Sequence, residues 1–166
     1  MKREHILNIR LTDDEHIKRE CALMMAASDP WITMGIDYNG CLHAFDGAYK
    51  EIYVAEFEND IAGFVILQTC GTFKGYIQTI CIGEKYRGVG FGSIMLRFCE
   101  KRILEISPNI FICVSSFNTR AIQLYQRFGF TLVGELLDFV KTGFTELLLR
   151  KTVGPMLGYG AEKKGS

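Results

Sequence analysis

The stretch EKYRGVGFGSIML, from Glu84 to Leu96, sets glycines at positions 88, 90 and 92 and then runs straight into apolar residues at helical spacing. Glycine admits backbone geometries closed to other residues and lets a ligand come close to the main chain. The amides of a helix's first turn have no partner within the helix, and with the helix dipole they favour an anion. A phosphate suits this combination; a tight strand-to-helix turn with no ligand is the plainer alternative. Spacing separates the phosphate-binding schemes. A Walker loop requires G-x-x-x-x-G-K-[ST], and no lysine follows these glycines. A Rossmann turn requires G-x-G-x-x-G directly after its strand, but counting from Gly88 its last position is Ser93, and EKYR stands between strand and glycines. What remains is R-x-x-G-x-G, read as Arg87, Gly90 and Gly92, after a strand and a short loop.

A second chemistry-bearing run, NTRAIQLYQRFGF, begins about 30 residues further on. Asn118 is a natural N-cap, Ala121, Leu124, Tyr125 and Phe128 fall on one helical face, and Gly129 closes the helix. By spacing alone Tyr125 reads as a core aromatic.

Taken together, the two runs resemble the GNAT family of acyl-CoA-dependent N-acetyltransferases. The family's pyrophosphate motif is Q/R-x-x-G-x-G/A, and its second motif, N-x-x-A-x-x-L-Y-x-x-x-G-F, is matched by Asn118, Ala121, Leu124, Tyr125, Gly129 and Phe130. The resemblance covers roughly residues 50 to 150. It implies a mixed α/β fold with a central mixed sheet of about six or seven strands, whose parallel central strands splay apart, flanked by about four helices. It also implies acetyl-CoA as cosubstrate, its pantetheine arm held by main-chain groups of Ile80, Cys81 and Ile82. The diphosphate would be cradled by the amides of Gly88, Val89, Gly90, Phe91, Gly92 and Ser93, with charge from Arg87. Asn118 and Ala121 would complete the cofactor contacts.

The implied reaction is attack of a neutral primary amine on the thioester carbonyl within a ternary complex, followed by loss of the coenzyme A thiolate. A free thiol titrates near pH ~8.5 and a tyrosine near ~10, so a phenol beside the sulfur can deliver a proton as the C–S bond breaks. Tyr125 is the expected acid. The base is open. Relatives carry a glutamate five residues before the motif asparagine, which is Cys113 here, or early on the strand before the glycines, where Tyr76 stands. A water relay through Ser115, Ser116 or Gln78, or a carboxylate such as Asp37 or Asp138, could substitute. The missing carboxylates also keep open a non-catalytic acyl-CoA sensor or scaffold, and the glycine loop alone admits a mononucleotide-binding regulator. For the amine, a small molecule or a peptide, Trp31, Met34 and Tyr38 are expected on one helical face, with Tyr76 and Ser115 nearby.

These residues need elements to hold them. HILNIRL, 5 to 11, alternates as a strand; Thr12 and Asp13 are candidate caps for a helix with Ile17, Cys21, Met24 and Met25 on one face, stopping near Pro30. ITMGIDYNGCLHAF is expected to resume as a second helix. EIYVAEF and IAGFVILQTC form a hairpin about END, YIQTICIG a strand, and the segment from Gly90 to Ile106 an amphipathic helix ending before Pro108. IFICV reads as a buried strand, followed by the helix of Tyr125 and a hairpin of FTLVGELLDFV and FTELLLRK around KTG. The expected organisation is one domain, 1–150, with a loose tail, 151–166.

Composition narrows the partners. Lys plus Arg equals Asp plus Glu at 19 each, which gives no net field for nucleic acid or an acidic membrane. No segment approaches the roughly 18 uninterrupted apolar residues of a membrane span, and no signal-like run opens the chain, so a cytoplasmic protein is expected. A homodimer is left open. Three scattered histidines argue against a metal site, and six cysteines without C-x-x-C spacing read as reduced thiols, those in apolar runs buried.

Overall fold

The computed structural model describes residues 6–160. In chain order the elements are β1 (Asn8–Leu11), α1 (Glu15–Ala26), α2 (Trp31–Met34), α3 (Tyr38–Leu42), β2 (Lys50–Phe57), β3 (Asp60–Gln68), β4 (Tyr76–Ile82), α4 (Phe91–Ile103), β5 (Asn109–Ser115), α5 (Thr119–Arg127), β6 (Thr131–Leu137) and β7 (Thr145–Thr152). The seven strands run in the order β1-β2-β3-β4-β5-β7-β6, with β4 and β5 parallel and β5–β7 and β6–β7 antiparallel. This is the mixed α/β architecture expected from the sequence. Among the described residues no helix is long and apolar enough to cross a membrane.

The chain divides into two compact units. The first comprises Met1–Ile66 and Thr79–Met95. Its core is built where the inward face of α1, Cys21, Ala22 and Met25, meets Ile52 and Val54 of β2, Phe64 and Ile66 of β3 and Cys81 of β4. Ile17 and Met24 flank that face as the spacing predicts. The helix is capped one residue later than expected: Asp14 Oδ1 accepts from His16 N–H at 2.8 Å, while Thr12 Oγ1 accepts from Asp14 N–H at 3.2 Å and so shapes the approach. The turn between β2 and β3 consists of Glu58 and Asn59, both at positive φ, as a two-residue hairpin demands.

The expected second helix is two short ones. Gly35 takes a left-handed conformation (φ 64°), its N–H bonding back to Ile32 O, and ends α2; Asp37 then caps α3 by accepting from Gly40 N–H at 2.9 Å. Trp31, Met34 and Tyr38 therefore do not share one helical face. Trp31 and Tyr38 pack against the first unit's core, and Met34 is buried. The strand expected over 5–11 is shorter, Asn8–Leu11, residues 6 and 7 lying outside it; His5 lies outside the described residues.

The second unit comprises Leu67–Gln78 and Leu96–Ser166. Its strand β5 pairs with β7 along the whole length of β5, from Asn109–Thr152 to Ser115–Glu146. By contrast, the parallel register of β4 and β5 consists of Tyr76–Phe111 and Ile77–Ile112, at the start of β4. Gly75 (φ 92°) makes that junction: an added Cβ would stand 2.5 Å from Asn109 O, so only glycine lets the two strands meet there. β7 runs two residues beyond position 150, and Val153 N–H donates to Pro108 O at 3.0 Å. Tyr159 hydroxyl donates to Leu104 O, which ties the segment after β7 to the end of α4. Cysteines 21, 41, 81 and 99 are buried free thiols, and Cys113 is half-buried. Cys70, expected inside, is exposed because β3 ends at Gln68 and leaves it in the following loop.

Candidate active site

β4 delivers the chain into the glycine turn through Gly83, whose N–H donates to Ala62 O at 2.8 Å. A 3-10 turn over Glu84–Tyr86 follows. Asp60 fastens it by accepting from Lys85 Nζ at 2.7 Å and from Tyr86 hydroxyl at 3.0 Å, and these donors hold its carboxyl below the usual range. Phe91, the first residue of α4, is nearly sealed because the rings of Phe57 and Tyr86 lie 5.3 and 6.1 Å from its own. This aromatic group pins the start of the helix while the main chain ahead of it stays open. Gly88 and Gly90 take φ of 78° and 91°, and residues 88–90 are exposed. A Cβ at Gly90 would meet nothing within 4 Å. The first helical bond runs from Ile94 N–H to Gly90 O at 3.1 Å, so the amides of Phe91, Gly92 and Ser93 precede any helical acceptor.

Arg87 has partners that sequence reasoning missed. Its Nε donates to Ile82 O at 3.0 Å, and its guanidinium also donates to Ser28 Oγ at 2.9 Å. Ser28, buried past the end of α1, donates its own hydroxyl to Met24 O at 2.7 Å. The arginine thus ties the turn to α1. Of the three residues expected along the pantetheine arm, Ile80 and Ile82 are half-buried, while Cys81 is buried and its thiol is pushed up to about 11, chiefly by that burial.

In the second unit, Asn118 caps α5 as read from sequence, its Oδ1 accepting from Ala121 N–H at 3.3 Å. Tyr125, 7% exposed, packs edge-on to Phe130 with ring centroids 6.0 Å apart. β4 and β5 bring Tyr76 and Cys113 into hydrogen-bond contact, and burial raises both of their pKa values. Ser115, fully enclosed, donates its hydroxyl to Glu146 Oε1 at 2.6 Å. Glu146 was missed in the sequence. It is 5% exposed, and burial raises its pKa, against the opposing effect of the Ser115 hydrogen bond. Its only sequence signal is a carboxylate inside the apolar run of FTELLLRK, and the β5–β7 register is what sets it opposite Ser115.

The remaining candidates for the base have structural employment. Asp37 caps α3, Asp138 accepts from Gly143 N–H at 2.6 Å in the β6–β7 loop, and both are exposed. Gln78 Oε1 accepts from Gln68 Nε2 at 2.9 Å. Ser116 is exposed, and its N–H donates to Thr145 O at 2.9 Å.

A glycine turn of this geometry after β4, and a capped helix with the Asn-to-Tyr spacing after β5, are the two features on which the resemblance rests. The acetyltransferase (GNAT) family model matches residues 14–130. The chain belongs to the GNAT acetyltransferases. It is 26% identical over 155 residues to an N-alpha-acetyltransferase of Sulfurisphaera tokodaii, covering 86% of this chain and 89% of that one. It is 34% identical over 95 residues to the spermine/spermidine N(1)-acetyltransferase of Bacillus subtilis, covering 50% of this chain and 60% of that enzyme. Among solved structures, a GNAT family acetyltransferase from Elizabethkingia anophelis with acetyl-CoA bound superposes with a TM-score of 0.69 at 18% identity, over 91% of this chain and 100% of that one. In this GNAT chain the family match takes in the glycine turn and the whole of α5, but stops short of β7 and so of Glu146.

Proposed function

We propose that this GNAT protein transfers the acetyl group of acetyl-CoA to a primary amine on a peptide or a small molecule. The observation that carries this reading is the turn at 88–93: exposed residues at positive φ, followed by amides that precede any helical acceptor, at the point where the resemblance leads one to expect the diphosphate. Gly88, Val89, Gly90, Phe91, Gly92 and Ser93 hold the diphosphate through their amides. Ile80, Cys81 and Ile82 supply main-chain groups to the pantetheine arm, and Asn118 and Ala121 add contacts from the start of α5. Arg87 adds charge once its guanidinium exchanges Ser28 for a phosphate oxygen.

Tyr125 is the acid. The amine nitrogen bonds to the thioester carbon, the C–S bond breaks, and the departing sulfur takes the phenolic proton. The two curated relatives bear on the acceptor: one is named for alpha-amines, the other for the polyamines spermine and spermidine. Both are primary-amine chemistries. The test is calorimetric titration with acetyl-CoA, followed by a thiol-release assay over N-terminal peptides and polyamines. Saturable binding and amine-dependent release are expected; absence of acetyl-CoA binding overturns the reading.

A further inference from the structure

Glu146 is an unusual residue for the interior. Its carboxyl is 5% exposed, and among the described residues its one hydrogen bond comes from Ser115, with no cationic side chain paired to it. A buried carboxylate without a cation is costly, and such groups persist where the chemistry uses them. The surroundings are specific. Ser115 ends β5, and its carbonyl accepts from Asn118 N–H at 2.8 Å, so the same residue abuts the cap of the helix that carries Tyr125. The side chains that face Glu146 are Ser115 and Cys113 of β5 and Tyr76 of β4; its partner on β6 is Leu136. Tyr76 and Cys113 are half-buried, so they form the side of this group that solvent reaches.

Neither Cys113 nor Tyr76 carries a carboxylate, and Glu146 on β7 brings one to their cluster from a third strand. We propose that Ser115 and Glu146 together are the base of the acetyl transfer, which rests on the function proposed above. As the amine nitrogen bonds to the carbonyl carbon, its proton passes by way of a water on the Tyr76–Cys113 side to Ser115 Oγ, while the Ser115 hydroxyl proton passes to Glu146 Oε1. Ser115 ends unchanged, and Glu146 then releases the proton to water. On the leaving side Tyr125 protonates the sulfur and is reprotonated from solvent. Acetyl-CoA and the amine become the amide and coenzyme A with no other reactant. Tyr76 and Cys113, both pushed above their ordinary values, stay neutral around Glu146, which is the group left to titrate. Burial raises its pKa, which moves it toward the range where a base is effective near neutrality.

The experiment measures kcat, KM and acetyl-CoA affinity for the full chain and for Glu146→Gln and Ser115→Ala, across pH. The acceptor is an amine of low basicity, so that its own ionisation lies below the range scanned. Both variants are expected to lose kcat by roughly 10²-fold or more with acetyl-CoA affinity unchanged, and Glu146→Gln is expected to lose the acidic limb of the kcat profile. Ser115→Ala gives a second reading should Glu146→Gln fail to fold. Wild-type turnover accompanied by fully active variants with the acidic limb intact overturns the Ser115–Glu146 base and leaves the transferase reading standing. Absence of wild-type transfer to every amine overturns both.

Discussion

Replacing Gly90 with alanine separates the fold's need for that residue from the ligand's. Gly90 has φ 91°, where an L-residue is strained by about 1–3 kcal/mol. The new Cβ meets nothing within 4 Å, so no packing cost adds to that strain. Against a folding free energy of about 5–15 kcal/mol the protein stays folded. In the proposed cradle, however, the methyl group stands where the diphosphate approaches the main chain. Losing one amide bond to a charged phosphate costs about 1.5–3 kcal/mol, which weakens acetyl-CoA binding roughly 10- to 150-fold. Gly63→Ala is the contrasting variant: its Cβ would lie 2.6 Å from Cys81 O and 2.9 Å from Ile82 Cδ1, an overpacking that costs about 1–3 kcal/mol or more. Thermal unfolding paired with calorimetric titration reads both effects. A Gly90→Ala protein that binds acetyl-CoA as tightly as wild type would refute the main-chain cradle.

Tyr125→Phe keeps the buried ring and its edge contact with Phe130 but removes the proton, so turnover is expected to fall roughly 10²-fold or more with acetyl-CoA affinity unchanged. Full activity in single-turnover kinetics would exclude Tyr125 as the acid. Glu146→Gln is expected to stabilise the protein near neutral pH. Because burial raises the Glu146 pKa above its ordinary 4.5, the folded state binds that proton more tightly than the unfolded state, and stability falls as pH rises through the raised value. Melting curves of the two proteins should coincide below the ordinary value and separate above it, the variant higher; a variant that melts lower at neutral pH would contradict the unpaired burial.

The sequence was most legible where local chemistry alone decides the structure. Asn118 can cap only the helix that starts at Thr119, and three alternating glycines interrupt only the β4–α4 junction, so both motif segments lie where their spacing puts them. The region of Trp31, Met34 and Tyr38 was misread because a spacing of three and four is unchanged whether or not Gly35 turns left-handed and ends the helix. Arg87 looked like a free phosphate ligand because one partner, Ser28, arrives through the approach of α1 to the turn, and the other, Ile82 O, through the fold of the turn back on the end of β4. Glu146 was invisible for a related reason. Its meaning depends on the β5–β7 register that sets it against Ser115, 31 positions away.

The most direct measurement pairs thiol release with mass-spectrometric detection of the acceptor, using purified protein, acetyl-CoA and a panel of N-terminal peptides and polyamines. Coenzyme A thiol should appear in equal amount to an acetylated amine for at least one acceptor class. Saturable acetyl-CoA binding with neither thiol nor acetylated product from any amine would contradict the account.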